Sequence, residues 1–193
     1  WPIETSRCIV DTVRADDLEQ VMNLMDEGDD RYRYAVAWID LMAKGRHLGR
    51  SILSRGDHAR VADLPARERA DPLDYDAGII VSVPPIVPMS AMNRTTIKVF
   101  NEMWFRKAPK LRSNEIQTIP EYFHPLDMIG AWNLMYGPHG FVQYQILVPF
   151  GQEHALREVI ERLAASGAAS FVTVLKRFGA GNAAPLSFPA PGW

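Results

Sequence analysis

Residues 6–41, SRCIVDTVRADDLEQVMNLMDEGDDRYRYAVAWIDL, carry the pattern that decides the fold. Residues 6–13 alternate between apolar and polar side chains, which predicts a strand. Apolar residues then recur at helical spacing, behind an acidic first turn and ahead of Gly28: Leu18, Val21, Met22 and Met25. Residues 31–41 alternate again. The stretch therefore predicts a strand–helix–strand unit.

A second unit of the same kind is predicted near the other end of the chain. Residues 140–150 and 171–178 alternate as strands, and residues 152–167 between them have apolar side chains at helical spacing. These strands are not apolar on both faces, as the strands of a doubly wound parallel sheet would be. We therefore predict an α+β fold: a mainly antiparallel sheet with helices packed on one face, built from split βαβ-like units.

The chain between the two units predicts two more strands and one long helix. The strands are expected at 47–55 and 112–119, and residues 56–76 are expected to be a loop with a short helix near 65–70. In the helix that follows Asn93, the predicted apolar stripe consists of Ile97, Phe100 and Trp104.

The composition is that of one globular domain. The chain has 193 residues, 47% of them apolar and 23% charged, and a net charge of −2. This balance gives no overall field to attract nucleic acid, so no nucleic-acid partner is expected. The single cysteine, Cys8, cannot form a disulfide within the chain.

Alternation assigns the side chains of each predicted strand to one of two faces. In 31–41, small aliphatic residues suited to packing under helices share one face, and the other combines aromatic residues, including Trp38, with Asp40. In 140–150 the non-aliphatic face carries Gln143 and Gln145. Such faces suit either the wall of a pocket for a polar ligand or a half-exposed sheet surface with aromatic residues packed across strands.

Lys176 and Arg177 are adjacent in a predicted strand, so one of them must share a face with apolar residues. Lys176 falls between Val174 and Phe178. It can extend its ammonium group to water past these neighbours, or hold it in a pocket as a hydrogen-bond donor or acid–base group.

Two segments, 77–92 and 123–140, are apolar and are predicted to be irregular, and the prolines of the first exclude a membrane-spanning helix. They are predicted to be either buried core loops or exposed apolar flaps, and flaps would suit a ligand with a polar head and an apolar tail. Residues 179–182, GAGN, lack the pattern of a phosphate loop, the histidines lack metal-ligand spacing, and no nucleophile elbow is present.

Three stretches together resemble a known family: AWIDLMAKGRHLGRSILSRGDHA (37–59), FHPLDMIGAWNLMYGPHGFVQYQILVP (123–149) and LKRFGAGNAAPLSFPAPGW (175–193). They are similar to the substrate domain of the decaprenylphosphoryl-β-D-ribose 2′-oxidases, flavin enzymes of the vanillyl-alcohol-oxidase superfamily. The resemblance implies that residues 1–193 are one substrate-binding domain of a longer, two-lobed chain whose other lobe binds FAD. This domain itself is then expected to supply no cofactor-binding or metal-binding residue and to be inactive alone.

The resemblance also implies a reaction and the residues that serve it. The family oxidises the 2′-hydroxyl of a polyprenyl-phosphoryl ribose to a ketone, half of an epimerisation to arabinose that a short-chain, NADH-dependent reductase completes. By position in the matching motifs, Lys176 is expected to be catalytic. The expected substrate-binding residues are Trp38, Phe123, His124, Gln143, Gln145 and Phe178. Phe123 departs from the family pattern, which has a tyrosine before His-Pro-Leu-Asp, so the role of that hydroxyl is absent.

Two alternatives stay open beside this expectation. The parent protein could be another FAD-dependent sugar-alcohol or aldonolactone oxidase, or this domain could be a non-catalytic glycolipid-binding module. The family works at the bacterial inner membrane, so a peripheral location there is expected, on a side of the membrane that the sequence does not indicate.

Overall fold

The computed structural model describes residues 2–28, 30–84, 92–138, 140–168, 170 and 172–193. The strands and α-helices lie in this chain order: β1 (Arg7–Ala15), α1 (Leu18–Gly28), β2 (Tyr34–Ile39), β3 (Ser51–His58), β4 (Val81–Ser82), α2 (Arg94–Lys107), β5 (Leu111–Thr118), α3 (Ile119–Phe123), β6 (Ile129–Gly130), α4 (Glu153–Ser166) and β7 (Val174–Leu175). Three short 3-10 helices lie at Gly45–His47, Val61–Asp63 and Trp132–Tyr136.

Five strands form one antiparallel sheet in the order β5-β1-β3-β2-β7. β3 lies between β1 and β2, the two strands that α1 connects, and it is antiparallel to both. This arrangement is a split βαβ unit, so the predicted α+β fold with a mainly antiparallel sheet is confirmed. A separate pair, β4 and β6, is parallel.

One face of the sheet packs against α1 and α4 and forms the main core. Three of the four predicted inward residues of α1 are buried there, and the fourth, Met22, is only partly buried. Ala37 and Ile39 of β2 and Leu53 of β3 are buried in the same core. From α4 the buried residues are Leu156, Ile160 and Ala164. Trp193 is buried in the same core, where its backbone N–H and C=O both pair with Val148 at 2.7 and 2.8 Å.

Helices α2 and α3 contact the other face at its two ends. Asn101 of α2 donates to the buried carboxylate of Asp40, just after β2. Tyr122 of α3 packs on Cys8 and Val10 of β1 and donates to the backbone carbonyl of Tyr34. The two helices therefore border the middle of this face and leave it less covered than the face under α1 and α4.

Several predicted elements differ in extent from the observed ones. The strand predicted at 31–41 is shorter, and the one predicted at 47–55 begins later because a 3-10 helix occupies Gly45–His47. The short helix predicted near 65–70 is a series of turns, preceded by the 3-10 helix Val61–Asp63. In each case a proline or a tight turn limits the regular hydrogen bonding that the side-chain pattern suggested.

The predicted stripe of α2 is corrected in two of its three positions. Ile97 is buried as expected, but the other buried residues are Asn101 and Phe105, whereas Phe100 and Trp104 are exposed. Polar contacts explain this orientation. The hydrogen bonds of Asn101 with Asp40 and of Glu102 with Arg50 turn this side of the helix toward the sheet.

The strand predicted at 140–150 is wrong for this structure, and the one predicted at 171–178 is reduced to Val174–Leu175, with Phe171 outside the described residues. Residues 141–149 form no ladder, and the side chains of Val142 and Tyr144 are 94% and 73% exposed. Alternation predicts which face a residue would take, but a strand forms only where a neighbouring backbone accepts its hydrogen bonds.

Candidate functional site

The face of the sheet opposite α1 and α4 is the candidate site, and we call it the open face. From β2 it carries Tyr34, Val36 and Trp38, as the register with β3 and β7 requires. Trp38 lies opposite Ile52 of β3 on one side and Val174 of β7 on the other. Ile52 is buried, Trp38 is half-buried and Val174 is exposed, so the side chains of this face become more exposed to solvent toward the β7 edge of the sheet.

At one end of the open face an aromatic cluster forms around the predicted residue Phe123. The Phe123 ring contacts Tyr34 edge-on at a centroid distance of 4.9 Å and Tyr122 at 4.8 Å. His58 of β3 completes the cluster, 5.7 Å from Tyr34 and 6.1 Å from Phe123. Sequence reasoning did not select His58, although its alternation within β3 could have placed it on this face.

At this cluster, burial suppresses the reactivity of two groups that could act as nucleophiles. Desolvation, with a smaller contribution from Asp57, raises the pKa of the Cys8 thiol to about 11. Desolvation also raises the pKa of Tyr122 well above its usual value. Both groups therefore stay protonated at neutral pH, and this end of the face is suited to packing against a ligand rather than to covalent chemistry.

At the other end, a buried polar network attaches α2 to the sheet. Asp40 accepts two hydrogen bonds from the guanidinium group of Arg50, at 2.9 and 2.6 Å, and one from Asn101 at 2.8 Å. Arg50 also pairs with Glu102 at 2.6 Å and lies over the ring of Phe105. Glu102 has its pKa lowered by its hydrogen bonds with Arg50 and Arg106. This network fixes α2 beside the open face.

The structure places Lys176 and Arg177 on opposite sides of the sheet. Leu175 is buried in the main core, and Arg177 lies on that side, with its guanidinium group over Phe150 and Trp193 and 2.6 Å from Asp26. Lys176 directly follows β7, its side chain is exposed, and continuing the β2–β7 register would place it opposite Val36 on the open face. Among the described residues it forms no ion pair.

The other predicted site residues do not lie beside Lys176. Phe178 forms a bridge with Gly192, and its ring contacts that of Phe188. His124 is exposed at the end of α3 and near the Phe123 ring. Gln143 and Gln145 are exposed in the segment that forms no ladder. The structure thus places Trp38 and Phe123 on one face, Lys176 at its edge, and the two glutamines outside it.

The apolar segments are partly exposed. Residues 85–91 and His139 lie outside the described residues, but Ile79, Ile80 and Val81 of the first segment are exposed, as the flap interpretation predicts. In and beside the second segment, Trp132, Tyr136 and Phe141 contact one another. Within the described ranges no group of His, Cys, Asp or Glu side chains is arranged to hold a metal ion, and no helix has the length and apolar character needed to cross a bilayer.

Two of the known proteins that are similar to this chain align with the whole of it. The decaprenylphosphoryl-β-D-ribose oxidase of Mycolicibacterium smegmatis is 39% identical over 193 residues, and the chain spans 42% of its length. An uncharacterised protein of Streptomyces coelicolor is 33% identical over 199 aligned residues, and the chain spans 53% of its length. No family model matches the chain. All of the chain is therefore homologous to one part of a bacterial oxidase, which confirms the resemblance.

Proposed function

We propose that this chain is the substrate-binding lobe of an FAD-dependent oxidoreductase that oxidises the 2′-hydroxyl of a polyprenyl-phosphoryl ribose to a ketone. The observation that carries the proposal is the 39% identity to decaprenylphosphoryl-β-D-ribose oxidase across all 193 residues. A short-chain, NADH-dependent reductase that completes the conversion to arabinose, and a peripheral position at the bacterial inner membrane, belong to the same proposal.

The described residues do not fit FAD by themselves. A glycine-rich loop that leads into a helix N-terminus is one common way to hold the pyrophosphate of a dinucleotide, and residues 179–182 lead into bends and turns instead. The surface grooves at Lys44–Arg157 and at Asp26–Arg177 lie by the helices of the main core, away from the open face. We therefore assign FAD to another lobe of the parent protein and derive no step through it.

The residues of the open face suit the binding of a sugar phosphate. The half-buried indole of Trp38 offers a flat apolar surface, and sugar rings pack well on such surfaces. The exposed ammonium group of Lys176, at the edge beside it, offers three donors and a positive charge to the phosphate or to a reacting oxygen. Gln143 and Gln145 would join them if residues 141–148 added to the free side of β7, the last strand of the sheet.

The test uses the full-length parent protein and follows the visible absorption of its flavin under anaerobic conditions. Addition of a polyprenyl-phosphoryl ribose is expected to bleach the spectrum. Lys176→Ala is expected to slow the bleaching by about 10²–10³-fold, the usual cost of losing one charged donor at a reacting oxygen. Lys44→Ala, which removes an exposed lysine elsewhere, is the matched control.

Three results would contradict the proposal in different ways. A purified protein without flavin would favour a non-catalytic glycolipid-binding module. A flavin that is bleached by short soluble sugar alcohols and not by the lipid-linked sugar would indicate another oxidase of the superfamily. Bleaching by the lipid-linked sugar at an unchanged rate in Lys176→Ala would retain the reaction and remove Lys176 from the catalytic residues.

A further inference from the structure

Helix α2 has an apolar surface on its outer side as well as on its inner side. Ile97, Asn101 and Phe105 face the protein and are buried. On the outer side Met103 and Val99 are 60% and 53% exposed, and Phe100 and Trp104 stack on each other beside them. A helix on the surface of a globular protein normally presents polar residues to water, so this outer side indicates a contact with something apolar.

Basic residues surround this apolar surface. Residues 94–112 contain six basic residues and one acidic residue in a chain whose net charge is −2, and they hold three of its five lysines. The acidic residue, Glu102, is already engaged by Arg50 and Arg106. Lys98, Lys107 and Lys110 form no ion pair with any described residue. The positive charge of this region is therefore available to a negatively charged partner.

We propose that the outer side of α2, defined by Lys98, Val99, Phe100, Met103, Trp104 and Lys107, binds the surface of a membrane that contains anionic lipids. The apolar side chains would enter the boundary between headgroups and acyl chains, and the lysines would reach the phosphate groups. Lys107 already lies 6.0 Å from the Trp104 ring, which combines the aromatic and basic groups that favour the membrane interface.

A lipid surface fits this helix better than a protein partner does. Three lysines that form no ion pair with a described residue match the uniform negative charge of an anionic bilayer, whereas a protein partner would need acidic groups placed opposite each of them. The network of Asp40, Arg50 and Asn101 holds α2 beside the open face, so docking through α2 would bring that face close to the bilayer. The inference deepens the peripheral membrane position of the proposed function and does not depend on the oxidation reaction.

The test measures binding of the full-length protein to vesicles by co-sedimentation. One set contains phosphatidylglycerol and phosphatidylcholine in equal parts, and the other contains phosphatidylcholine alone. We expect salt-sensitive binding to the anionic set. Lys98→Gln/Lys107→Gln is expected to weaken it by about fivefold for each lysine removed. Val99→Ser/Met103→Ser is expected to weaken it by at least about fivefold through lost apolar burial.

Lys44→Gln/Leu186→Ser is the control, because it changes one lysine and one exposed aliphatic side chain away from α2 by the same kinds of substitution. It is expected to bind as the wild type does, and circular dichroism checks that each variant is folded. A wild type that ignores anionic vesicles, as it would if α2 bound a protein instead, overturns the proposal. So does a control that loses as much binding as the α2 variants. Vesicle binding needs no turnover, so neither result bears on the proposed reaction.

Discussion

The pair Lys176 and Arg177 shows how neighbouring residues of the same charge take different roles. Arg177 lies at the rim of the main core because its flat guanidinium group can stack on Phe150 and Trp193 while it pairs with Asp26. Lys176 has a compact, strongly hydrated ammonium group and remains exposed on the other side. The structure therefore leaves Lys176 accessible to a ligand and uses Arg177 for packing, which is compatible with the catalytic role predicted for the lysine.

At the scale of residues, loss of the Asp40 carboxylate is also expected to destabilise the fold strongly. Its side chain is only 1% exposed, and it satisfies Arg50, Asn101 and the backbone N–H of Met42. Asp40→Ala would leave a guanidinium group and an amide without their buried partner. We expect the free energy of unfolding to fall by about 3–5 kcal/mol, measured by urea denaturation.

Glu158→Ala is the matched control for Asp40→Ala, because it removes one carboxylate from an exposed i,i+4 pair with Arg162 on α4. Its loss is expected to cost about 0.5 kcal/mol or less. Equal effects of the two substitutions would show that the Asp40 network does not stabilise the fold.

At the scale of elements, the end of the chain is attached to the core by a close backbone approach at Gly192. This glycine has φ +155°, and a Cβ atom there would lie 2.5 Å from the carbonyl oxygen of Val148. Its backbone also exchanges both hydrogen bonds with Phe178. Gly192→Ala is therefore expected to lower the free energy of unfolding by about 1–3 kcal/mol, measured by denaturation.

Gly179→Ala provides the comparison, because a Cβ atom at Gly179 meets nothing within 4 Å. It is expected to leave the stability nearly unchanged. If Gly192→Ala had no larger effect than Gly179→Ala, the contact between the chain end and Val148 would not contribute to the fold.

The helices were predicted better than the strands, because a strand needs a neighbouring strand for its hydrogen bonds. Helices α1 and α4 were predicted from periodicity alone, because their backbone hydrogen bonds are internal and only the apolar stripe must find the core. Residues 141–148 have an equally clear alternation but form no strand here, because β7 contributes only two residues to pairing at that edge. In α2, periodicity could not show that a polar residue, Asn101, would be buried between Ile97 and Phe105.

At the scale of the whole molecule, the sheet has a stable centre and a weak edge. β3 pairs along its length with both β1 and β2, whereas β7 pairs with β2 at two positions only. Hydrogen exchange followed by mass spectrometry is therefore expected to show the slowest amides in β1, β2 and β3. Residues 141–147 should exchange almost as fast as an unfolded peptide.

Either outcome of the exchange experiment is informative about the site. Fast exchange in 141–147 would agree with the exposed positions of Gln143 and Gln145. Protection equal to that of β3 would contradict this part of the structure and would show that the segment pairs as a strand, as its alternation predicts. The same comparison in the full-length protein would show whether other parts of the chain supply the missing partner.

The sequence by itself determined the fold class, the first split βαβ unit, the side of β2 that enters the core and the relationship to an oxidase, because periodicity, alternation and residue identity are properties of the chain alone. The tertiary structure decided which candidates share a surface: Trp38 and Phe123 on the open face, Lys176 at its edge and the glutamines outside. It also decided which side of α2 faces water and where its lysines cluster, a feature that the near-neutral net charge conceals. These outcomes depend on contacts between residues that are far apart in the sequence, such as Asp40 and Asn101, and a local sequence pattern cannot predict such contacts.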